Sequence, residues 1–232
     1  MEYLYAVQNA AELTFCRVFR KSGEPRLAKF AEYLRRELDV RELPRTVVLT
    51  SAHAASELLS DDFIPLPAYT NDFRVVFAPD IEAWRELYLR QLESYPAEEA
   101  RAAREYYESA LSERHLLQTL GHELVHHSEL FSDEAYEQGG AWFEEGMAEY
   151  VSRRYFLTPQ EQTREKKINE LLVRLYEQTH APRPWEAFGA GRDIAALFYD
   201  YWRAFLRVSE LVRKHGGNLR TVIEKNGRAP NE

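Results

Sequence analysis

The amino-acid sequence predicts an α+β protein with a small N-terminal lobe, a mainly helical C-terminal lobe and one helix between the two. Apolar residues recur at helical spacing through most of the chain. Two short segments in the first half, Thr46–Thr50 and residues 73–77, are rich in β-branched and aromatic residues and predict the strands of a short antiparallel sheet. The second half has no comparable strand signal.

Helix boundaries in the first half follow from turn and capping residues. Residues 6–20 form an amphipathic pattern that Ser22-Gly23 should end, and Pro25 suits the first turn of a second helix. Asp80 follows the strand-like segment and suits the N-cap of another helix. Pro96 marks the start of the next helical stretch.

The second half is expected to consist of successive helices, at about residues 111–130, 142–155, 159 onward, 193–213 and 219–225. The segment Thr158-Pro159-Gln160-Glu161 matches a capping box with proline at the first helical position. We therefore expect one domain over residues 1–232, with an N-terminal α/β lobe at residues 1–112 and a helical lobe at residues 113–232.

Composition excludes several classes of function. The chain has 232 residues and a formal net charge of -8, which argues against nucleic acid as a partner. A membrane-spanning apolar run and a signal-peptide pattern are both missing from the sequence, so no membrane partner is expected. The single cysteine, Cys16, permits no internal disulfide. These observations predict a cytoplasmic location, and they leave the oligomeric state open.

A metal-binding motif lies in the central helix. The segment His122-Glu123-Leu124-Val125-His126 matches the pattern HExxH. Histidines four residues apart lie on one face of a helix, so both imidazoles can reach one ion. Glu123 cannot easily join the ligands, but it can reach a water in the remaining coordination position. The motif predicts one zinc ion per chain, held by His122 and His126.

A second acidic helix supplies candidates for the rest of the site. Glu145 and Glu149 are four residues apart in an otherwise apolar segment, with Gly146 between them. Catalytic zinc usually has three protein ligands, so Glu145 is the expected third ligand. Glu149 is expected to accept the second N–H of a ligating histidine and so fix its orientation.

These residues resemble the gluzincin zinc metallopeptidases, the thermolysin-like and aminopeptidase-like group. Eighteen residues separate His126 from Glu145, which is similar to the aminopeptidase branch. Residues 143–150, Phe-Glu-Glu-Gly-Met-Ala-Glu-Tyr, look like that branch's N-E-G-x-A-E-Y block, with Glu144 in place of the usual asparagine. The resemblance is strong over residues 113–155 and weak over residues 199–216. It suggests a minimal catalytic core with a reduced N-terminal lobe.

The resemblance implies a peptidase in which Glu123 is the general base for attack of zinc-bound water on a peptide or protein substrate. It implies that Tyr201 stabilises the oxyanion, with Tyr199 and His180 as alternatives. By the same analogy, the strand containing Phe73, Val75 and Phe77 is expected to pair with an extended substrate. No G-x-M-E-N block is present in the sequence, so exopeptidase action has no support.

Three other classes of protein compete with the peptidase as interpretations of the sequence. A deformylase-like enzyme needs a cysteine ligand, and Cys16 lies in an ordinary helical segment. A three-histidine protease needs a further histidine soon after the motif, which is missing. The remaining alternative is a catalytically inactive gluzincin-like scaffold that acts as a binding or regulatory module. The presence of Glu123 argues against that alternative, because a purely structural zinc site does not need a base.

Overall fold

The protein is described here by a computed structural model, which describes residues 1–58 and 66–226, without the side chain of Leu58. The fold is α+β, as predicted, and it is mostly helical with one small sheet. The four strands are β1 (Glu2–Ala6), β2 (Thr46–Thr50), β3 (Ala68–Asn71) and β4 (Arg74–Phe77). None of the described helices is long and apolar enough to span a lipid bilayer.

The sheet is mixed, so the prediction of an antiparallel sheet is wrong for most of it. The strand order is β1-β2-β4-β3, in which β1, β2 and β4 run parallel. Only β3 and β4 pair antiparallel, through a tight turn at residues 72–73. Parallel neighbours require a long crossover between them, and a 29-residue helix provides it between β1 and β2. Two of the strands, β1 and β3, were not predicted from the sequence.

The first helix, α1 (Ala10–Leu38), is continuous where the sequence predicts two helices. Gly23 does not end it, because this glycine is buried and a Cβ there would lie 2.8 Å from Cδ2 of Leu117. Pro25 lies inside the helix rather than at the start of a new one. Gly23 is therefore a packing residue, at which α1 comes close to the helix that contains Leu117.

Apart from a three-residue helix that was not predicted, Asp133–Ala135, the remaining helices follow the predicted order. They are α2 (Ile81–Gln91), α3 (Ala97–Ala110), α4 (Glu113–Val125), α5 (Asp133–Ala135), α6 (Ala141–Phe156), α7 (Pro159–Thr179), α8 (Ile194–Lys214) and α9 (Leu219–Asn226). The predicted caps are confirmed. Asp80 Oδ1 accepts hydrogen bonds from two backbone amides of α2, and Thr158 and Glu161 form the capping box of α7. α4 is shorter than predicted, because Leu111 and Ser112 separate it from α3 and it ends at Val125.

Helix α4 occupies the centre of the molecule. It contacts α1, β3 and β4 on one side and α6 on the other, and all its residues from His115 to Val125 except Thr119 are buried. Helix α8 packs on the far side of α6 and also contacts α7. One hydrophobic cluster includes side chains from both halves of the chain. The division into lobes at residues 112 and 113 stays a prediction.

Candidate metal centre

The two histidines of the HExxH motif lie on one face of α4. Leu117, Leu120 and Leu124 anchor the opposite face in the core, and each is 0% exposed. His126 is the C-cap of α4 and keeps helical backbone angles, with φ -58° and ψ -19°. The four-residue spacing therefore brings both imidazoles to the same side, where their Nε2 atoms are 3.2 Å apart.

Helix α6 carries Glu145 to this pair of histidines, and its own position is set by close packing against α8 at Gly146. A Cβ on Gly146 would lie 2.7 Å from the carbonyl oxygen of Ala204 and 2.7 Å from Cγ2 of Val208. The backbone of α6 therefore lies directly against α8, as the apolar character of this segment and its glycine suggest. Glu145, the residue before the glycine, is buried at 8% exposure and its carboxylate faces α4.

The three predicted ligands have the spacing that a tetrahedral zinc site requires. Nε2 of His122 lies 3.0 Å from Oε2 of Glu145, and Nε2 of His126 lies 3.6 Å from the same oxygen. With zinc–ligand bonds near 2.0 Å, tetrahedral ligands lie about 3.3 Å apart. A proton can bridge only one pair of these atoms at a time, whereas a cation between them satisfies all three. The residues therefore fit a zinc ion.

The second nitrogen of each histidine faces a carboxylate, as ligating histidines generally require. Nδ1 of His122 lies 3.3 Å from Oε1 of Glu149, which is close enough for an ion pair but not aligned as a hydrogen bond. This position agrees with the role predicted for Glu149. Nδ1 of His126 lies 2.7 Å from Oε1 of Glu144. Sequence reasoning missed Glu144, although it had marked this residue as a departure from the family block.

The metal-free site is a cluster of ion pairs. Burial by itself would lower the pKa of His122, but Glu145 and Glu149 raise it well above its usual range. Burial also opposes the charge on His126, and Glu145 and Glu144 raise its pKa. Burial would raise the pKa of Glu149, but Arg153 and His122 outweigh it and lower this pKa to about 2. The histidines are therefore protonated more readily than free histidines when no metal is bound.

Glu123 differs from the other carboxylates of the site. It is 8% exposed and lines the cleft beside His122 and His126. Among the described residues, none donates a hydrogen bond to its carboxylate. Burial raises the pKa of Glu123, and the charges of the two histidines counteract this only in part. A carboxylate that is desolvated and without a partner is suited to accept a proton from a bound molecule.

Of the three candidates for oxyanion stabilisation, Tyr201 alone lines the cleft. Its ring centroid is 6.2 Å from that of His122. Burial and the carboxylates of Glu145 and Glu123 raise the pKa of Tyr201 well above its usual range, so the phenol stays protonated and can donate. The hydroxyl of Tyr199 instead donates a hydrogen bond to Oε1 of Glu177 at 2.9 Å. His180 is exposed, and its ring stacks on that of Tyr176.

The candidate ligands lie at the bottom of a cleft of about 900 Å³. Residues of α4 and α6 form one side, which we call the helix wall. The other side, which we call the strand wall, is β3 (Ala68–Asn71). The segment from Trp185 to Gly191 closes a third side. Among the described residues, no lysine or arginine lines the cleft, whereas these carboxylate residues do: Asp72, Glu123, Asp133, Glu137, Glu144, Glu145, Glu149 and Glu186.

The predicted substrate-binding residues are not at the cleft edge. Strand β4 is hydrogen-bonded to β2 on one side and to β3 on the other, so its backbone is not free to pair with a substrate. Val75 and Phe77 are 0% exposed core residues, and Phe73 is 66% exposed in the turn between β3 and β4. None of the three lines the cleft. The prediction is wrong because β3, which was not predicted, covers the edge of β4.

The strand wall is fastened to the motif helix by a side-chain contact. Oγ1 of Thr70 lies 3.0 Å from Nε2 of His127, which directly follows the ligand His126. Both residues are partly buried and line the cleft. His127 is therefore a hydrogen-bonding residue at the junction of β3 and the segment that follows α4.

Comparison with known proteins identified no relative of this chain. No protein-family model, curated protein or solved structure matches the chain. The resemblance to the gluzincins therefore depends on the sequence patterns of residues 113–155 and, weakly, of residues 199–216, and it stays a prediction.

Proposed function

We propose that the protein is a zinc-dependent metallopeptidase that hydrolyses peptide bonds. The observation that carries the proposal is the triad of His122, His126 and Glu145, whose ligand atoms lie 3.0 to 3.6 Å apart. Beside it lies Glu123, a buried carboxylate to which no residue in the described part of the chain donates a hydrogen bond. A purely structural zinc site has four protein ligands, whereas three ligands facing a cleft leave one position for water or substrate.

The ion would be held by Nε2 of both histidines and by the carboxylate of Glu145. When bound, zinc supplies a Lewis acid that polarises a carbonyl group and lowers the pKa of water toward about 7. Glu123 accepts the proton of the attacking water and transfers it to the leaving amine. The pKa of Glu123 is raised toward neutral pH, and a group with such a pKa both accepts a proton from water and releases it to the amine efficiently.

Tyr201 is proposed to donate a hydrogen bond to the oxygen that gains negative charge in the transition state. Its raised pKa supports this role, because only the protonated phenol can donate. The extended substrate is proposed to lie along β3, which is an edge strand of the sheet and forms the strand wall. A peptide bound there would have its backbone between β3 and the histidines of α4.

The variant Glu123→Gln tests this proposal. The purified chain is loaded with zinc and incubated with a library of internally quenched peptides, and zinc content is measured separately. We expect about one zinc ion per chain in both proteins and a loss of turnover of about 10²- to 10⁴-fold in the variant. Glu113→Gln on the same helix is the control, because Glu113 is exposed and outside the cleft.

Two results would contradict the peptidase. A chain that takes up no zinc would remove the basis of the proposal. A chain that holds zinc but cleaves no peptide in the library would support the inactive binding or regulatory module instead. Equal turnover in the wild type and in Glu123→Gln would exclude Glu123 as the base.

A further inference from the structure

Arg153 is buried in the protein interior directly behind the candidate metal centre. The residue is 4% exposed, and its Nε atom lies 2.7 Å from Oε2 of Glu149. Its Nη1 atom lies 2.5 Å from Oδ1 of Asn169 and 3.2 Å from Oε2 of Glu165, both on α7. One guanidinium group therefore joins α6, which carries a metal ligand, to α7, which carries none.

Stability alone gives little reason for an arginine at this position. Its guanidinium carbon lies 4.1 Å from the ring centroid of Phe205 and 5.2 Å from that of Trp202, so its surroundings are partly aromatic. Burying charged groups costs free energy that their attraction only partly offsets, and apolar replacements of buried ion pairs are often neutral or stabilising. The contacts of the arginine instead suit a residue that holds a neighbouring group in place.

That group is Glu149, whose two oxygens have different partners. Oε2 accepts a hydrogen bond from Arg153 at 2.7 Å and a longer one from Nε2 of Gln118 at 3.4 Å, while Oε1 lies 3.3 Å from Nδ1 of His122. A carboxylate held at one oxygen cannot rotate freely. The arginine is the closer and the charged donor, so it is the main group that determines which oxygen faces the histidine. The orientation of the His122 ring in turn directs Nε2 toward Glu145 and His126.

Arg153 is itself held by a chain of hydrogen bonds. Tyr106 of α3 donates its hydroxyl to Oε1 of Glu165 at 2.9 Å. The same hydroxyl lies 3.1 Å from Nε2 of His115, at the start of α4. Glu165 is 8% exposed and His115 is 5% exposed, so water does not compete strongly for these groups. The chain connects three helices to the guanidinium.

We propose that Arg153 is a positioning residue of the metal centre. It fixes Glu149 so that Oε1 faces Nδ1 of His122, and it thereby keeps Nε2 of His122 directed at the ion. Glu165 anchors the arginine from α7. The inference rests on the zinc site of the proposed function, but it does not require that the protein hydrolyses peptides.

A lysine cannot replace the arginine in this role. The contacts of Arg153 run from two different nitrogens, Nε toward Glu149 and Nη1 toward Glu165 and Asn169. A lysine has one nitrogen at the end of a flexible chain and lacks the rigid planar fork. Arg153→Lys keeps the charge but should not restore the affinity for zinc.

A double-mutant cycle on zinc affinity tests the proposal. The dissociation constant is measured by competition with a chromophoric chelator for the wild type, Arg153→Met, Glu149→Gln and the double variant. We expect Arg153→Met, as a single change, to weaken zinc binding by about tenfold. This is the low end of the loss that follows when a residue supporting a metal ligand is removed. In the Glu149→Gln background the same change should have almost no effect, since the group that Arg153 orients is already altered.

The control is Arg183→Met, which removes another arginine from a buried carboxylate. Arg183 lies 3.2 Å from Oδ1 of Asp200, which is 0% exposed, and neither residue contacts His122. Zinc affinity should not change in this variant. If Arg153→Met does not fold, Glu165→Gln replaces it in the same cycle, with a smaller loss expected because the arginine is retained.

Two outcomes would overturn the inference. Equal loss of affinity in the wild type and in the Glu149→Gln background would mean that Arg153 acts on the site through general structure. Unchanged affinity in both Arg153→Met and Glu165→Gln would mean that it does not act on the site at all. In either case zinc uptake by the wild type would leave the proposed function standing, whereas a wild type that takes up no zinc would remove both.

Discussion

The two facing walls of the cleft are built on different principles. On the helix wall, each ligand is held on more than one side, as when His122 contacts Glu145 through one nitrogen and Glu149 through the other. The strand wall consists of the edge strand β3, and among the described residues one side-chain hydrogen bond, between Thr70 and His127, joins it to the helix wall. We therefore expect zinc affinity to depend on the helix wall and only weakly on the strand wall.

The largest effect expected on the helix wall is that of pH on zinc affinity. Glu145 and Glu149 raise the pKa of His122, and Glu145 and Glu144 raise that of His126, so both rings are readily protonated in the metal-free chain. Zinc binds only the neutral ring and must displace these protons. Affinity should therefore fall as pH falls, by about tenfold per pH unit for each proton displaced.

Calorimetric titration of zinc in buffers with different ionisation enthalpies measures this proton release. His180→Gln serves as the control, because His180 is exposed and outside the cleft, and the pH dependence should not change. An affinity that is the same at acidic and neutral pH would contradict the assignment of His122 and His126 as ligands, and with it the proposed difference between the walls.

A smaller effect is expected where α6 packs against α8. In Gly146→Ala, the new methyl group would lie 2.7 Å from the carbonyl oxygen of Ala204, a backbone atom that cannot easily move. The helices must separate, which should lower the free energy of unfolding by about 1–3 kcal/mol despite the better helix propensity of alanine. Glu145 should move with α6, so zinc affinity should fall as well.

Gly23→Ala is the matched control, because its methyl group would meet Cδ2 of Leu117, the end of a side chain, at 2.8 Å. Denaturant unfolding of both variants measures the difference, and Gly146→Ala should be the less stable of the two. Equal stability would indicate that the contact between α6 and α8 can relax, and that Glu145 is held less firmly than its surroundings suggest.

The smallest effect is expected on the strand wall, in Thr70→Val. This change keeps the shape of the side chain and removes the hydrogen bond to His127, which contributes about 0.5–1.5 kcal/mol. Unfolding experiments should show that loss, while chelator competition should show unchanged zinc affinity. Thr163→Val, on the exposed face of α7, is the control for the loss of a threonine hydroxyl away from the cleft. A loss of zinc binding in Thr70→Val would remove the distinction between the walls.

The sequence predicted the helix wall well because its geometry is local. The spacing of His122 and His126 is one helical turn, and the spacing of Glu145 and Glu149 is another, so two periodic patterns predict where four side chains point. What joins the two patterns is the packing of α6 against α4, while Gly146 marks the contact of α6 with α8. The structure brings the three predicted ligands together.

The sheet that carries the strand wall was predicted poorly because most of its pairing joins distant segments. β2 was predicted with its correct bounds, but the parallel pairing of β2 with β4 depends on how the chain crosses between them. β3 is a short segment of four residues with only one buried position, so its pattern is weak. The roles of Arg153 and Glu165 also depend on distant contacts, since α7 must pack beside α6 before their charges meet.

The position of the ligands at the bottom of the cleft has a consequence for the exchange of the metal. His122 and Glu145 are 6% and 8% exposed, and behind them lie Glu149, Arg153 and the hydrophobic core. An ion held by these residues would therefore enter and leave through the cleft opening, which is also the opening proposed to admit a substrate. A peptide bound along β3 should slow the removal of zinc by a chelator, so that the occupied protein retains its metal longer than the empty one.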